Sequence, residues 1–252
     1  MSQLVAYYLD LPFIRPFPFL PLTFKCVVHH HWNYHPSLDR SIYVIRDGRD
    51  VMVSSYMAAM RVYQLRGQAM DSLGRSVTKD LVRSVGNYAH VYRRLRSLFG
   101  EDFDPWDVEQ NLPVFIEAEM KKPIRFSVQQ NWTEHVRSWY LRSVNTMFVK
   151  YEDMLQEAVE VLSKALMALF GSEIDERQVK LTVERYSFEK KTGRLPGTED
   201  KFSFARKGIR GDWQNHFSKE ARQVFDHYAG DLLVELGYET GRGWVNEISE
   251  QS

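Results

Sequence analysis

A chain of 252 residues that is 44% hydrophobic and 13% aromatic can bury a sizeable core as one globular domain. Its 33 basic and 33 acidic side chains cancel, which excludes a global field that would recruit nucleic acid or a membrane surface. A lone cysteine, Cys26, excludes an intrachain disulfide framework and a cysteine-rich metal site, and fits a reducing, cytoplasmic compartment.

No apolar run reaches the length of a membrane span, and Asp10 interrupts the short apolar run at the N-terminus, against a signal peptide. That first segment, Ser2 to Leu11, reads as two turns of helix without a start signal. Leu11 to Pro21 carries four prolines in ten residues with phenylalanines between them. It is expected to lack regular structure, as a loop on the core or as an apolar pocket wall. Phe24 to Val28 is strand-like and leads into His29-His30-His31-Trp32-Asn33-Tyr34-His35-Pro36. On an extended chain only His29 and His31 share a side, and no cysteine or acidic pair completes a tetrahedral set, so no metal is expected. A neutral imidazole of this cluster suits a general base instead.

Ile42 to Ile45 is apolar on both faces, which predicts a fully buried strand of a parallel sheet. Asp47-Gly48 breaks it, Asp50 is the expected N-cap, and a helix is predicted from about Val51 to Leu65. Strand, tight turn and helix form the junction where ligands sit in open parallel sheets. Arg46 at the strand end, Ser54 in the first helical turn or so, and a positive helix N-terminus together suit a phosphate. The plainer alternative pairs Arg46 with Asp47 or Asp50 and leaves Ser54 as helix filler.

Farther along, Asp71 to Leu98 reads as helix, with Leu81, Val85, Tyr88 and Val91 on one face, and Gly100 to about Asn111 as a surface connection. Leu112 to Met120 reads as a further short helix, and Trp132, His135, Val136, Trp139 and Tyr140 share a stripe, most simply a core face. Asn145 to Lys150 is the next buried strand. Asp153 is the expected cap of a long helix through Leu155, Ala158, Leu162, Leu166 and Leu169, closed by Gly171. Tyr151 alone reads as a packed ring at a sheet edge. A helix ends near Arg185, followed by Tyr186-Ser187-Phe188-Glu189, whose aromatic ring could stack on a purine. In Arg206-Lys207-Gly208-Ile209-Arg210-Gly211-Asp212-Trp213 the glycines admit an anion close to the backbone and the cations add charge. A basic surface loop leading into a helix is the alternative, but it leaves Trp213 and both glycines unexplained. Ser218 opens a C-terminal helix to about Leu236, with Gly237 just after it.

Two of these stretches carry a family resemblance. Arg46-Asp47-x-Arg49-Asp50-Val51-x-Val53-Ser54-x-Tyr56 resembles the 3′-phosphate-binding motif of the PAPS-dependent sulfotransferases. Arg206-Lys207-Gly208-x-x-Gly211-Asp212-Trp213-x-Asn215-x-Phe217 is similar to that family's C-terminal motif almost letter for letter. The resemblance implies an α/β, three-layer P-loop-kinase-like fold, a central parallel sheet flanked by helices. It implies that Arg46, Ser54, Arg206, Lys207 and Gly208 grip one doubly charged 3′-phosphate of PAPS (3′-phosphoadenylyl sulfate). Tyr151, Ser187 and Phe188 would frame the adenine. Gap-free spacing to Tyr34-His35-Pro36 and Ile42-Tyr43 puts the family's general base on His31, with His30 one position off, and His29 where the family has lysine. Trp132-x-x-His135-Val136-x-x-Trp139 is similar to a segment bordering the acceptor, so His135 is either a substrate contact or structural.

Two departures accompany the resemblance. Gly48 stands where many bacterial relatives have proline and is expected to make the same turn. No Pro-Lys-Ser-Gly-Thr-Thr-Trp loop, which in the family wraps the 5′-phosphosulfate, occurs in the sequence. The expectation is a single domain over 1–252 that begins inside the family's first helix, lacking the first strand and phosphate loop, with 1–10 the helix remnant and 238–252 a tail. The implied function is sulfuryl transfer from PAPS, without a metal, to a hydroxyl or amine of a small-molecule or carbohydrate acceptor. The alternative is an incompetent fragment that binds only adenosine 3′,5′-bisphosphate or a partner.

Overall fold

The computed structural model describes residues 1–14, 25–36, 38, 40–72, 89–124, 130–141, 145–171, 173–201, 203 and 205–246, with side chains omitted over 65–72. The expected helix positions Leu81, Val85 and Tyr88 and most of the proline-rich stretch lie outside the described residues. The chain divides into two compact units. One comprises Met1–Arg46, Val136–Glu199 and Lys207–Arg210; the other comprises Asp47–His135, Asp200–Arg206 and Gly211–Ser252.

The first unit is α/β. Strands β1 (Phe13–Ile14) and β2 (Val27–Val28) pair in parallel, as do β3 (Ser41–Ile45) and β4 (Thr146–Lys150). Helix α1 (Ser2–Tyr8) lays Leu4 and Val5 against Leu162, Leu166 and Val179, with Ile42, Met154 and Tyr186 packed around them. Leu162 and Leu166 are wholly buried, each worth about 1.5–3 kcal/mol relative to an exposed side chain. They lie on the helix Ala158–Phe170, closed as expected by Gly171 at φ +62°, where a left-handed residue ends the helix.

Three expectations for this unit are corrected. Phe13–Ile14 is a strand despite its prolines, because the Pro12 carbonyl accepts the Val27 N–H at 2.9 Å and Ile14 accepts that of His29 at 2.9 Å. Proline lacks a donor, not an acceptor. Of the β3 side chains only Ile45 is buried, and Val44 is 39% exposed. An apolar run does not separate a strand covered on both faces from one covered on a single face. Asp153 is not a cap: a helix starts directly at Tyr151 with Lys150 in the N-cap position, and Asp153 lies in its first turn. That helix stops at Gln156, and the backbone breaks at Glu157 before Ala158 restarts it.

The second unit is helical. Helix α2 (Gly48–Ser72) packs on the helix Ala89–Phe99, and the C-terminal helix (Lys219–Glu235) packs on the helix Val108–Lys121. The last of these is longer than the sequence predicts, since Pro113 imitates a helix start. Its true cap is Asp107, whose carboxylate accepts the Gln110 N–H at 3.2 Å. Helix α2 also begins earlier than expected. Asp47 rather than Asp50 does the capping: its carbonyl accepts the Val51 N–H at 3.0 Å and its carboxylate the Arg49 N–H at 2.9 Å. Ser54 therefore stands in the second turn. Gly48 makes no turn. It is the first helical residue, and a Cβ there would come within 2.7 Å of Phe225 and 2.8 Å of Trp132. The C-terminal helix behaves as its sequence predicts, with the Ser218 hydroxyl accepting the Ala221 N–H at 3.2 Å and Gly237 at φ +67°. Among the described residues no helix is long and apolar enough to cross a membrane.

Candidate functional site

In the first unit the parallel register fixes the site. Ile45 stands opposite Lys150, so the residues that follow, Arg46 and Tyr151, leave the two strands at one level. The Arg46 guanidinium lies 4.9 Å from the Tyr151 ring centroid, both residues half-buried. A cation over an aromatic face is held by the ring quadrupole.

A second pairing joins residues from distant parts of the sequence. Gly208, at φ +66°, passes so close to Phe188 that a Cβ would fall 2.5 Å from the ring. Glycine is required there on both counts, conformation and space. Phe188 opens the short helix Phe188–Thr192, and the Arg194 guanidinium lies 5.4 Å from its ring centroid. Ser187 caps that helix, its hydroxyl accepting the Lys190 N–H at 3.2 Å. The Lys207 carbonyl accepts the Gly197 N–H at 2.8 Å, which ties the loop down beside this ring.

The histidines separate as alternation on an extended chain requires. His29 and His31 meet edge to face at 4.8 Å, and the Ser2 hydroxyl lies 3.1 Å from His29 Nδ1. His30 points the other way, stacked on Trp32 at 4.8 Å and Trp139 at 5.9 Å, and its Nδ1 accepts the Trp32 N–H. Trp139 also stacks on Tyr43 at 5.3 Å and donates its indole N–H to the Trp32 carbonyl at 3.0 Å. Of the two adjacent candidates, His30 is built into an aromatic stack, whereas His31 is exposed. Burial pushes the Tyr43 phenol well above its ordinary value.

In the second unit the polar residues of both motifs are largely interior. Asp50 is 1% exposed; its Oδ2 accepts the Gly211 N–H at 2.8 Å and its Oδ1 the Trp213 N–H at 2.9 Å. Arg49 is 2% exposed and holds Asp47 with Nη2–Oδ2 at 2.7 Å and Nε–Oδ1 at 3.1 Å, while Nη1 meets Glu239. Its plane lies 3.8 Å from the Trp213 ring centroid and 4.7 Å from that of Trp244. Burial alone would pull the Arg49 pKa down, but the hydrogen bonds and charges of Asp47 and Glu239 outweigh it and hold it above the ordinary value. Arg206 pairs through Nη2 with Asp212, and Asp212 also lies 3.3 Å from His216 Nε2 and accepts from Asn215 Nδ2 at 3.1 Å. Ser54 is half-buried on α2. His135 is half-buried on the helix Trp132–Tyr140, where Trp132, Val136 and Trp139 form the buried stripe and Tyr140 is 41% exposed, off it.

Two pairings thus join residues the sequence singled out separately, Arg46 with Tyr151 and Phe188 with Gly208, and the third, His29 with His31, is the one that alternation predicts. Sequence reasoning missed Glu239 and Trp244 altogether, gave Arg49 no role beyond its place in the motif, and gave Asp50 and Asp212 no long-range partner. The available signal was an acidic residue inside each basic motif, where a binding loop made only of cations would need none.

The sulfotransferase domain family matches residues 27–237. Sulfotransferase 1E1 of Cavia porcellus is 31% identical over 132 residues, 47% of this chain and 43% of that protein. Sulfotransferase 1C2 of Homo sapiens is 29% identical over 135 residues, 49% of this chain and 43% of that protein. The 3-beta-hydroxysteroid sulfotransferase of Cavia porcellus is 28% identical over 107 residues, 38% of this chain and 37% of that protein. In each case the match spans less than half of the relative's length. Among solved structures, mouse sulfotransferase SULT7A1 complexed with PAP aligns at a TM-score of 0.47 and 20% identity, over 78% of this chain and 60% of that one.

Proposed function

The chain belongs to the sulfotransferase family, and from that premise we propose that it moves a sulfuryl group from PAPS to the hydroxyl or amine of a small-molecule or carbohydrate acceptor. Arg46, Ser54, Arg206, Lys207 and Gly208 bind the nucleotide's 3′-phosphate, and Tyr151, Ser187 and Phe188 frame its adenine. The observation that carries this reading is the Arg46–Tyr151 contact at 4.9 Å. Residues assigned to the phosphate and the base of one nucleotide have to lie within that nucleotide's span, and these two do although they are far apart in sequence. The close approach of Gly208 to Phe188 supports the same reading from the other motif.

His31 takes the proton from the acceptor O–H or N–H as the acceptor atom forms its bond to sulfur. The bond from sulfur to the bridging phosphate oxygen breaks in line, and adenosine 3′,5′-bisphosphate leaves with that electron pair. No covalent enzyme intermediate is needed, so rate comes from positioning and from charge stabilisation on oxygens. His31 suits the proton transfer because its ring is exposed and neighbours His29 rather than a tryptophan stack. His29 and His135 contact the acceptor.

The test is transfer of labelled sulfate from PAPS to a panel of phenols, alcohols, amines and sugars. Transfer is expected with the unsubstituted chain, and His31→Ala is expected to lower it by about 10²–10⁴-fold, the scale of general-base catalysis. His30→Ala is expected to change it far less. Binding of adenosine 3′,5′-bisphosphate without transfer to any acceptor would sink the enzymatic reading and leave a nucleotide-binding protein.

A further inference from the structure

Resting on that nucleotide-binding reading, we propose that Asp50 and Asp212 form a positioning relay for Arg206. Asp50 fixes the backbone on both sides of Asp212, and Asp212 fixes the plane of the guanidinium that meets the 3′-phosphate. The geometry is complete within the second unit. One Asp50 oxygen takes the Gly211 N–H and the other the Trp213 N–H, so residue 212 is bracketed by two hydrogen bonds to a single carboxylate. Gly211 can turn its N–H toward Asp50 because it sits at φ +73°, where a side chain would be strained although there is space for one. Trp213 is in turn held face-on by Arg49, 3.8 Å from its ring centroid.

Asp212 is itself 2% exposed. Its Oδ2 holds Arg206 and lies 3.3 Å from His216 Nε2, while its Oδ1 accepts from Asn215. Two buried carboxylates, Asp50 on helix α2 and Asp212 in the basic loop, carry a desolvation cost, and each offsets it with hydrogen bonds to this loop. A guanidinium has five N–H donors in one rigid plane. A carboxylate fastened to one edge orients the rest without using all of them, and a bidentate grip on phosphate depends on that orientation.

The competing role for Asp212 is to neutralise Arg206 and so oppose an anion. The two roles predict opposite signs. Calorimetric titration of adenosine 3′,5′-bisphosphate into the unsubstituted chain comes first, and an absence of binding overturns both the function proposed above and the relay. With binding in hand, Asp212→Asn is expected to weaken it about tenfold, the scale of one charge-assisted hydrogen bond. In an Arg206→Ala background the same substitution is expected to change affinity by less than about twofold, because the relay has nothing left to orient. Tighter binding by Asp212→Asn, or an equal loss in both backgrounds, overturns the relay and leaves the nucleotide reading intact. Where circular dichroism finds Asp212→Asn unfolded, Asp50→Asn carries the same cycle under the same criteria. Unfolding of both variants overturns the relay too, since the carboxylates would then hold the fold rather than Arg206.

Discussion

Arg46 and Arg49 stand three positions apart in one motif, and the sequence singles out only Arg46, at the strand end, for binding an anion. Arg46, in the first unit, is half-buried and rests on the Tyr151 ring. Arg49, in the second, is 2% exposed, with carboxylates of Asp47 and Glu239 on its N–H edge and indoles of Trp213 and Trp244 near its plane. The difference is what burial demands. A guanidinium taken fully out of water has to be paired and hydrogen-bonded, and one so paired is a fastener rather than a receptor. A guanidinium left half-buried against an aromatic face does not carry that full demand.

The comparison breaks most visibly at Arg49. Arg49→Ala leaves Asp47 and Glu239 without their cation, and is expected to destabilise the protein by about 3–5 kcal/mol in denaturant unfolding. Arg46→Ala should instead cost under about 1 kcal/mol of stability, the range of an accessible cation–π contact. Its effect falls on the ligand: adenosine 3′,5′-bisphosphate is expected to bind at least about tenfold more weakly, in line with roughly 1.5–3 kcal/mol for a charge-assisted hydrogen bond. Near-native stability of Arg49→Ala, or unchanged nucleotide affinity of Arg46→Ala by calorimetry, would erase the distinction.

Gly48 sharpens the same boundary between the two arginines. A Cβ at this position meets the rings of Phe225 and Trp132, so Gly48→Ala is expected to cost about 1–3 kcal/mol by overpacking. The loss should appear in the unfolding midpoint while nucleotide affinity of the folded fraction holds. Tyr56 probes burial with the opposite charge. Its ring is wholly buried, and burial pushes its phenol up to about 12, against a smaller opposing effect of the Asn111 hydrogen bond. The folded state therefore favours the neutral phenol, while the unfolded chain ionises near pH 10. Stability from this group is fully present below about pH 10 and is lost as pH rises toward 12. Tyr56→Phe should flatten that alkaline slope in urea titrations run at stepped pH.

Features set by near neighbours in sequence were legible. Ser218 caps its helix, and Gly171 and Gly237 close theirs, because the groups involved lie within a few residues of one another. The strands β3 and β4 were found at almost their observed bounds, and alternation alone separated His29 and His31 from His30. Asp50 was misread for a physical reason: an aspartate near a helix start looks like a cap, and only a loop more than 150 residues later reveals its actual work. Asp153 was misread because its helix follows the strand without a connection, and Asp107 lies in a stretch read only as a surface connection. A capping box at Asn131 and Glu134 was available in the sequence and went unread; Asn131 Oδ1 accepts the Glu134 N–H at 2.9 Å and Glu134 accepts that of Asn131 at 3.2 Å. Motif resemblance supplied names for the candidate residues, but not which of their neighbours were fasteners.

The register of Ser41 against Thr146 also bears on how the protein is made. Closing a chain segment of about a hundred residues carries an entropic penalty that local helices avoid, and contacts that require such closure form slowly. On the ribosome, Arg46 has to wait until Tyr151 has left the exit tunnel before the two can meet. A nascent chain would therefore acquire helices such as Gly48–Ser72 early and its two strand ends late, so that the Arg46–Tyr151 contact reports completion of the sheet rather than compaction of the chain.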